Sequence, residues 1–161
     1  MRENYEAVGF IPQTTVANRY VAENQYILQN DERGRAVGYL LHGKLEYAKH
    51  VVVSQHCIQY EKRLRGYGQE AFREFLHRCE VAQVSSIHLR VAQDLPAVEF
   101  WQSCGFVPVS LVPGGKSRNR SIVVMRMGLC LPLTALISNT ALSRPNEADP
   151  VISSVSLGGT R

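Results

Sequence analysis

Six consecutive residues, Arg63-Leu64-Arg65-Gly66-Tyr67-Gly68, carry the clearest chemical signal in the chain. Glycines one residue apart let the backbone turn tightly, and successive amide N–H groups at a helix start then point together at a phosphate or pyrophosphate. Arg63 and Arg65 add positive charge to that turn. Just upstream stand Ser54, His56, Cys57, Ile58 and Tyr60. An imidazole with an ordinary pKa of about 6.5 suits proton transfer near neutral pH, and Ser54 could order a water. His56 reads equally well as a satisfied core histidine, and Cys57 better as a small buried hydrophobe than as a nucleophile. Tyr60 and Tyr67 flank the loop; Tyr60 is a candidate proton donor, although packing or cofactor contact suits a tyrosine there better. Further on, the basic run Pro113-Gly114-Gly115-Lys116-Ser117-Arg118-Asn119-Arg120 offers Arg118 and Arg120 as ligands for an anionic substrate, against the plainer reading of a solvated hairpin tip.

Two other motifs compete for these residues. Gly66-Tyr67-Gly68-Gln69-Glu70-Ala71 satisfies the dinucleotide fingerprint, with Asp94 as a ribose-binding acid. A dinucleotide-binding strand runs almost directly into its first glycine, however, whereas here a charged stretch intervenes and too little chain follows for further parallel strands. An ordinary surface turn is the bland alternative. Gly115-Lys116-Ser117 imitates the end of a phosphate-binding P-loop, but Ser110 stands where that motif needs glycine and a strand pattern follows it.

The elements that must position these residues are legible in the periodicity. Residues 25–29 and 36–42 read as a hairpin around the turn-forming Asn30-Asp31-Glu32-Arg33-Gly34-Arg35. His50 to Gln59 reads as a central strand, and strict alternation puts His50, Val52, Ser54 and His56 on one face, with Val53, Gln55 and Cys57 on the other. Ala71, Phe72, Phe75, Leu76 and Cys79 form one face of the helix that the glycines open. Ser86 to Ala92 alternates as a half-buried strand. Asp94 then caps a short helix that carries Ala97, Val98 and Trp101 and ends at Gly105. Phe106 to Val112 and Ser121 to Met127 are two more strands. Near the N-terminus, Val16, Ala17, Tyr20 and Val21 follow Thr14-Thr15 at helical spacing. Residues 1–128 make one domain, and 129–161, rich in Ser, Asn, Pro and Gly beyond Ile137, read as an extension that is mostly flexible tail.

Composition narrows the class without choosing the function. The 161 residues suit a single domain, and 45% hydrophobic with 20% charged residues argues against general disorder. A net charge of +4 favours anionic partners, phosphate-bearing cofactors and nucleic acids alike. Four cysteines without a C-x-x-C pair suggest neither a zinc site nor a disulfide framework, so no metal is expected and a cytoplasmic location fits. No stretch approaches the roughly 20 apolar residues of a membrane span, so no membrane partner is expected.

The order strand, basic glycine loop, amphipathic helix, strand, short helix, strand, strand resembles the C-terminal two thirds of the GNAT acyl-coenzyme A N-acyltransferases. Arg63-Leu64-Arg65-Gly66-Tyr67-Gly68 matches that family's Q/R-x-x-G-x-G/A, and residues 94–106 match its N-x-x-A-x-x-F-Y-x-x-x-G-F with two departures. Asp94 replaces an asparagine that usually faces the pantetheine arm, and Trp101 replaces a tyrosine that often protonates the departing thiolate. Indole cannot do that near neutral pH. The resemblance implies an α/β fold with a twisted, mostly antiparallel mixed sheet, a splayed parallel strand pair and flanking helices. It implies acetyl-coenzyme A as acyl donor, direct transfer to an amine, backbone polarisation of the thioester near Cys57 and Ile58, and a base on the central strand. The position of some relatives' acidic base is held here by Val52. A non-catalytic coenzyme A binding module and a nucleic-acid-directed acyltransferase remain open alternatives, as does a homodimer.

Overall fold

Val51, Val53, Ile87, Leu89, Val91, Val123 and Met125 are each less than a tenth exposed, and they recur at every second position of their segments, as strands sharing one apolar face require. The computed structural model describes residues 11–114 and 120–130. These form six strands: β1 (Tyr26–Asn30), β2 (Ala36–His42), β3 (His50–Ile58), β4 (Ser86–Ala92), β5 (Val107–Pro113) and β6 (Ser121–Gly128). They lie in one sheet in the order β1-β2-β3-β4-β6-β5. Every neighbouring pair is antiparallel except β3 with β4. That rules out the doubly wound parallel sheet that the dinucleotide fingerprint would need.

The helices are α1 (Gln13–Thr15), continuing as a π-helix over Val16–Val21, then α2 (Tyr67–Val81) and α3 (Ala97–Ser103). In the first, Thr14 and Thr15 do not cap: the cap position is Pro12, and no side chain bonds there. The π winding also breaks the expected stripe, so Tyr20 is buried while Val21 is half exposed. α2 buries Ala71, Phe72, Phe75 and Cys79 against the sheet. α3 adds Trp101, whose indole meets Phe72, Phe100 and Phe106 at centroid separations of 5.5, 5.0 and 5.2 Å. Gly105, at φ 96°, ends α3, and the Phe106 N–H donates back to the Trp101 carbonyl. The chain divides into two units, Met1–Leu131 and Pro132–Arg161; the expected tail falls almost wholly outside the described residues.

One irregularity changes which residues share a face. β2 pairs Leu41 with Gln55 and His42 with Val53, so Ser54 is an extra residue opposite no partner. A bulge of this kind reverses the alternation beyond it. His56 therefore shares the helix-covered face with its partner Leu40, in line with Val51 and Val53, while Gln55 and Cys57 turn to the far face beside Tyr39. Strict alternation along β3, which grouped His56 with Ser54 and Val52, is overturned by this one inserted residue. The Tyr39 hydroxyl donates to Gln55 Oε1 at 3.3 Å, and burial, reinforced by Cys57, pushes its pKa well up.

Candidate functional site

β3 and β4 begin as neighbours and then part. Their ladder runs from His50 opposite Ser86 to Val53 opposite Leu89 and stops there, although β3 continues to Ile58 and β4 to Ala92. The N–H of Gln59, just past the end of β3, donates to the Val37 carbonyl of β2. Backbone direction alternates along an antiparallel strand, so the Cys57 N–H also faces β2, and the His56 and Ile58 N–H groups face the gap. A cleft of about 950 Å³ occupies this gap, lined by Ser54, His56, Cys57, Ile58, residues 62–64 and residues 66–69 on one side and by Arg90–Ala92, Phe100 and Trp101 on the other.

The glycine loop sits at the cleft's mouth for local reasons. Leu64 (φ 58°) and Gly66 (φ 86°) both take left-handed backbone, which turns the chain sharply into α2. Gly66 is the N-cap of α2 and makes no side-chain cap bond; its carbonyl accepts the Glu70 N–H at 3.0 Å. The first-turn amides are thus left uncapped at the positive end of a 15-residue helix. Gly68 faces His56 and Phe100: a Cβ there would lie 3.4 Å from the imidazole Cε1 and 3.5 Å from the phenyl ring.

His56 is caged by Phe100 and Trp101, each with its ring centroid 5.5 Å away. Its Nε2 is buried and has no hydrogen-bond partner among the described residues. Loss of solvation lowers its pKa to about 4, because the charged form has nothing to solvate it. The ring is therefore neutral at pH 7, and its basicity is much below the ordinary value expected from the sequence.

The remaining sequence candidates divide clearly. Ser54, Cys57, Ile58, Arg63, Leu64, Gly66, Tyr67, Gly68, Trp101 and Arg120 all line the cleft. Arg63 donates to the Ile58 carbonyl at 3.2 Å and lies over the Tyr60 ring. Tyr60 itself is not brought to the cleft, because the 3₁₀ turn Tyr60–Lys62 directs it outward and leaves it 75% exposed. Arg65 also points away, into a separate polar pocket. Asp94 does not cap α3, whose cap position is Pro96; its carboxylate instead accepts two bonds from Arg120, at 2.7 and 3.0 Å. Arg118 lies outside the described residues. Sequence reasoning missed Gln55, Lys62 and Phe100 as lining residues; Phe100 was visible in the second motif, whereas Gln55 belongs to no motif. Among the described residues no cluster of metal-binding side chains occurs, and no helix is long and apolar enough to cross a membrane.

Residues 2–129 match the family model for the acetyltransferase (GNAT) domain. A search of curated proteins by sequence finds no match. Among solved structures, Ard1 from Thermoplasma volcanium superposes with a TM-score of 0.67 at 18% identity, over 75% of this chain and 82% of that one. Naa20 from Chaetomium thermophilum, solved with a bisubstrate analogue, gives 0.64 at 16% identity over 74% and 75%. The ribosomal-protein-S18-alanine N-acetyltransferase from Escherichia coli gives 0.62 at 12% identity over 78% and 83%. At such identities these structures speak for the fold, and the family model speaks for descent: this chain belongs to the GNAT acetyltransferase family.

Proposed function

We propose that the chain is an acetyl-coenzyme A dependent N-acetyltransferase that works by direct transfer to an amine. The observation that carries this is the construction of the cleft: the β3–β4 ladder ends at Val53, so the His56 and Ile58 N–H groups face a gap rather than a strand, and an uncapped helix N-terminus lies at its mouth. The residues fit a long pyrophosphate-bearing thioester. Gly66 supplies the left-handed turn, Gly68 puts no side chain between the first-turn amides and the gap, and the unpaired N–H groups of β3 suit an extended amide-bearing arm.

Acetyl-coenzyme A supplies an electrophilic acyl carbon. The amine nitrogen bonds to that carbon, the C–S bond breaks, the sulfur takes up one proton, and the amine gives one up. The Ile58 N–H, aimed into the gap, polarises the acyl oxygen. The Gly66–Gly68 amides hold the pyrophosphate, and Phe100 with Trp101 keeps that part of the cleft dry. Ser54, exposed on the bulge, orders the water through which the amine's proton leaves for solvent. His56, desolvated and weakly basic, serves as a neutral wall and hydrogen-bonding group rather than as the proton acceptor. Trp101 cannot protonate the sulfur, so that proton comes from solvent.

A second reading, a coenzyme A binding module without turnover, is favoured by the weakness of His56 as a base and by the indole at Trp101. Two measurements separate the cases. Acetyl-coenzyme A should raise the melting temperature and NAD should not. Release of free thiol from acetyl-coenzyme A should depend on an added amine, tested across peptide N-termini, lysine side chains and small polyamines. Thermal protection without thiol release from any amine would favour the binding module; protection by NAD alone would remove both readings.

A further inference from the structure

A second pocket, about 710 Å³ and polar, borders the phosphate loop. One wall is the β1–β2 turn, residues 30–35; the other is Lys62, Arg65, Tyr67 and Glu70. Lys62 and Tyr67 line both this pocket and the cleft. The two spaces therefore meet on either side of the loop that would hold a pyrophosphate.

The acids and bases of this pocket are not equivalent. Asp31, with its side chain only 5% exposed, accepts from Arg35 at 2.9 and 3.1 Å and from Lys62 at 3.2 Å, together with the backbone N–H groups of Arg33 and Arg35. Its charge is fully answered, and its function is to tie the turn to the loop. Glu70 accepts from Gln29 at 2.8 Å, and Glu32 stands on the turn. Arg33 and Arg65 are exposed and form no ion pair among the described residues. Two guanidinium groups without an ion pair among the described residues thus stand on opposite walls, and the buried Asp31 ties those walls together through Lys62 and the Arg33 backbone N–H. Guanidinium forks suit a phosphate monoester, which carries nearly two charges and three acceptor oxygens.

We infer that this pocket takes the 3′-phosphate on the ribose of coenzyme A, held between Arg33 and Arg65, and that it makes the protein select coenzyme A over dephospho-coenzyme A. The inference rests on the reading above, since the pyrophosphate must lie on Gly66–Gly68 for the ribose to face this pocket. Its expected consequence is that coenzyme A binds roughly tenfold tighter than dephospho-coenzyme A, the lower end of what charge-assisted contacts confer at an exposed site.

The test is calorimetric binding of both compounds to wild type, to Arg33→Gln/Arg65→Gln, and to Arg73→Gln. Arg73 is an exposed α2 residue that lines neither pocket. In the double variant coenzyme A should weaken to the dephospho level while dephospho-coenzyme A is unchanged; Arg73→Gln should keep the tenfold preference. Equal binding of the two compounds by wild type would overturn the inference and leave the acetyltransferase reading intact. So would a preference that survives the double substitution, or a double variant that weakens only the acceptor amine. Binding of neither compound would remove the acetyltransferase reading, and this inference with it.

Discussion

Residues His50–Val53 of β3 are laddered to β4, whereas Gln55–Ile58 of the same strand have β2 as their only strand neighbour among the described residues. The polar side chains follow this division with one exception, His42 Nε2 on β2 opposite Val53, which is also buried without a partner among the described residues. At the paired end, the Ser86 hydroxyl, fully buried, lies 2.8 Å from His50 Nδ1 and 3.0 Å from His88 Nε2, so these groups satisfy one another. At the open end, His56 Nε2 has no partner among the described residues and the His56 and Ile58 N–H groups face a gap. A buried polar group without a partner costs roughly 1–3 kcal/mol, a cost a ligand can offset by completing the bond. The paired end is organised to hold the sheet together, and the open end to be completed by something else.

The widest separation between the two ends should come from Ile87→Ala. Ile87 is fully buried beside Val51 in the paired half, and removing its branched chain should cost about 2–5 kcal/mol of stability. Denaturant unfolding would measure that loss, and calorimetry on the folded protein should show coenzyme A affinity unchanged within about twofold. Weakened binding would mean that the two ends are not independent.

The converse substitution is Gly68→Asp. A carboxylate there crowds the His56 and Phe100 rings and opposes the pyrophosphate. Coenzyme A affinity should fall about hundredfold or more, near 2.7 kcal/mol, with the circular dichroism of the native fold retained. Gly68→Ala, whose Cβ makes only ordinary contacts, should bind nearly normally. Unimpaired binding by a folded Gly68→Asp protein would remove the phosphate site from this loop.

This division also explains what the sequence could and could not reveal. The phosphate loop was legible because Gly66 and Gly68 are each required by local backbone geometry or close approach, and such requirements appear as residue types. The six strands and α2 were legible from apolar periodicity. The side to which His56 points was not: Val51-Val52-Val53-Ser54-Gln55 alternates acceptably with or without an inserted residue, and the bulge is decided by pairing with β2, far off in sequence. Asp94 misled for a related reason. Its residue type suits a helix cap, but a distant partner, Arg120, takes the carboxylate.

His56→Gln examines the open end by pH. Because the folded pKa, about 4, lies below the ordinary 6.5, the unfolded chain binds the extra proton first. The stability contributed by keeping His56 neutral is present above about pH 6.5 and is lost as pH falls through about 4. His42 and His88 shift in the same direction, chiefly through burial, and so contribute to the same acid sensitivity. Unfolding free energies from pH 7 to 4 should decline less steeply in His56→Gln than in wild type. Turnover should fall less than about tenfold, short of the 10²-fold or more that a positioned base contributes. A larger loss, with the acid limb of the rate profile abolished, would make His56 the base and displace Ser54 from that role.

The smallest effect is expected where the open end is tied shut at its rim. Arg120, from the start of β6, and Asp94, from the exit of β4, form an ion pair whose side chains are 28% and 56% exposed. Solvent screens such a pair, so Asp94→Asn should cost less than about 1 kcal/mol, and less still in high salt. The same substitution restores the asparagine that the family motif carries at this position, which makes its effect on binding informative in either direction. If Asp94 serves only to hold Arg120, coenzyme A affinity should change by less than about threefold, a difference under 0.7 kcal/mol. A clear gain in affinity would show that an asparagine side chain reaches the cofactor and that the aspartate withholds a contact. A clear loss would show that the ion pair shapes the cleft wall through Arg120, which lines it. Either larger change would place the boundary between the structural and ligand-binding regions at the Asp94–Arg120 pair rather than at the last rung of the β3–β4 ladder.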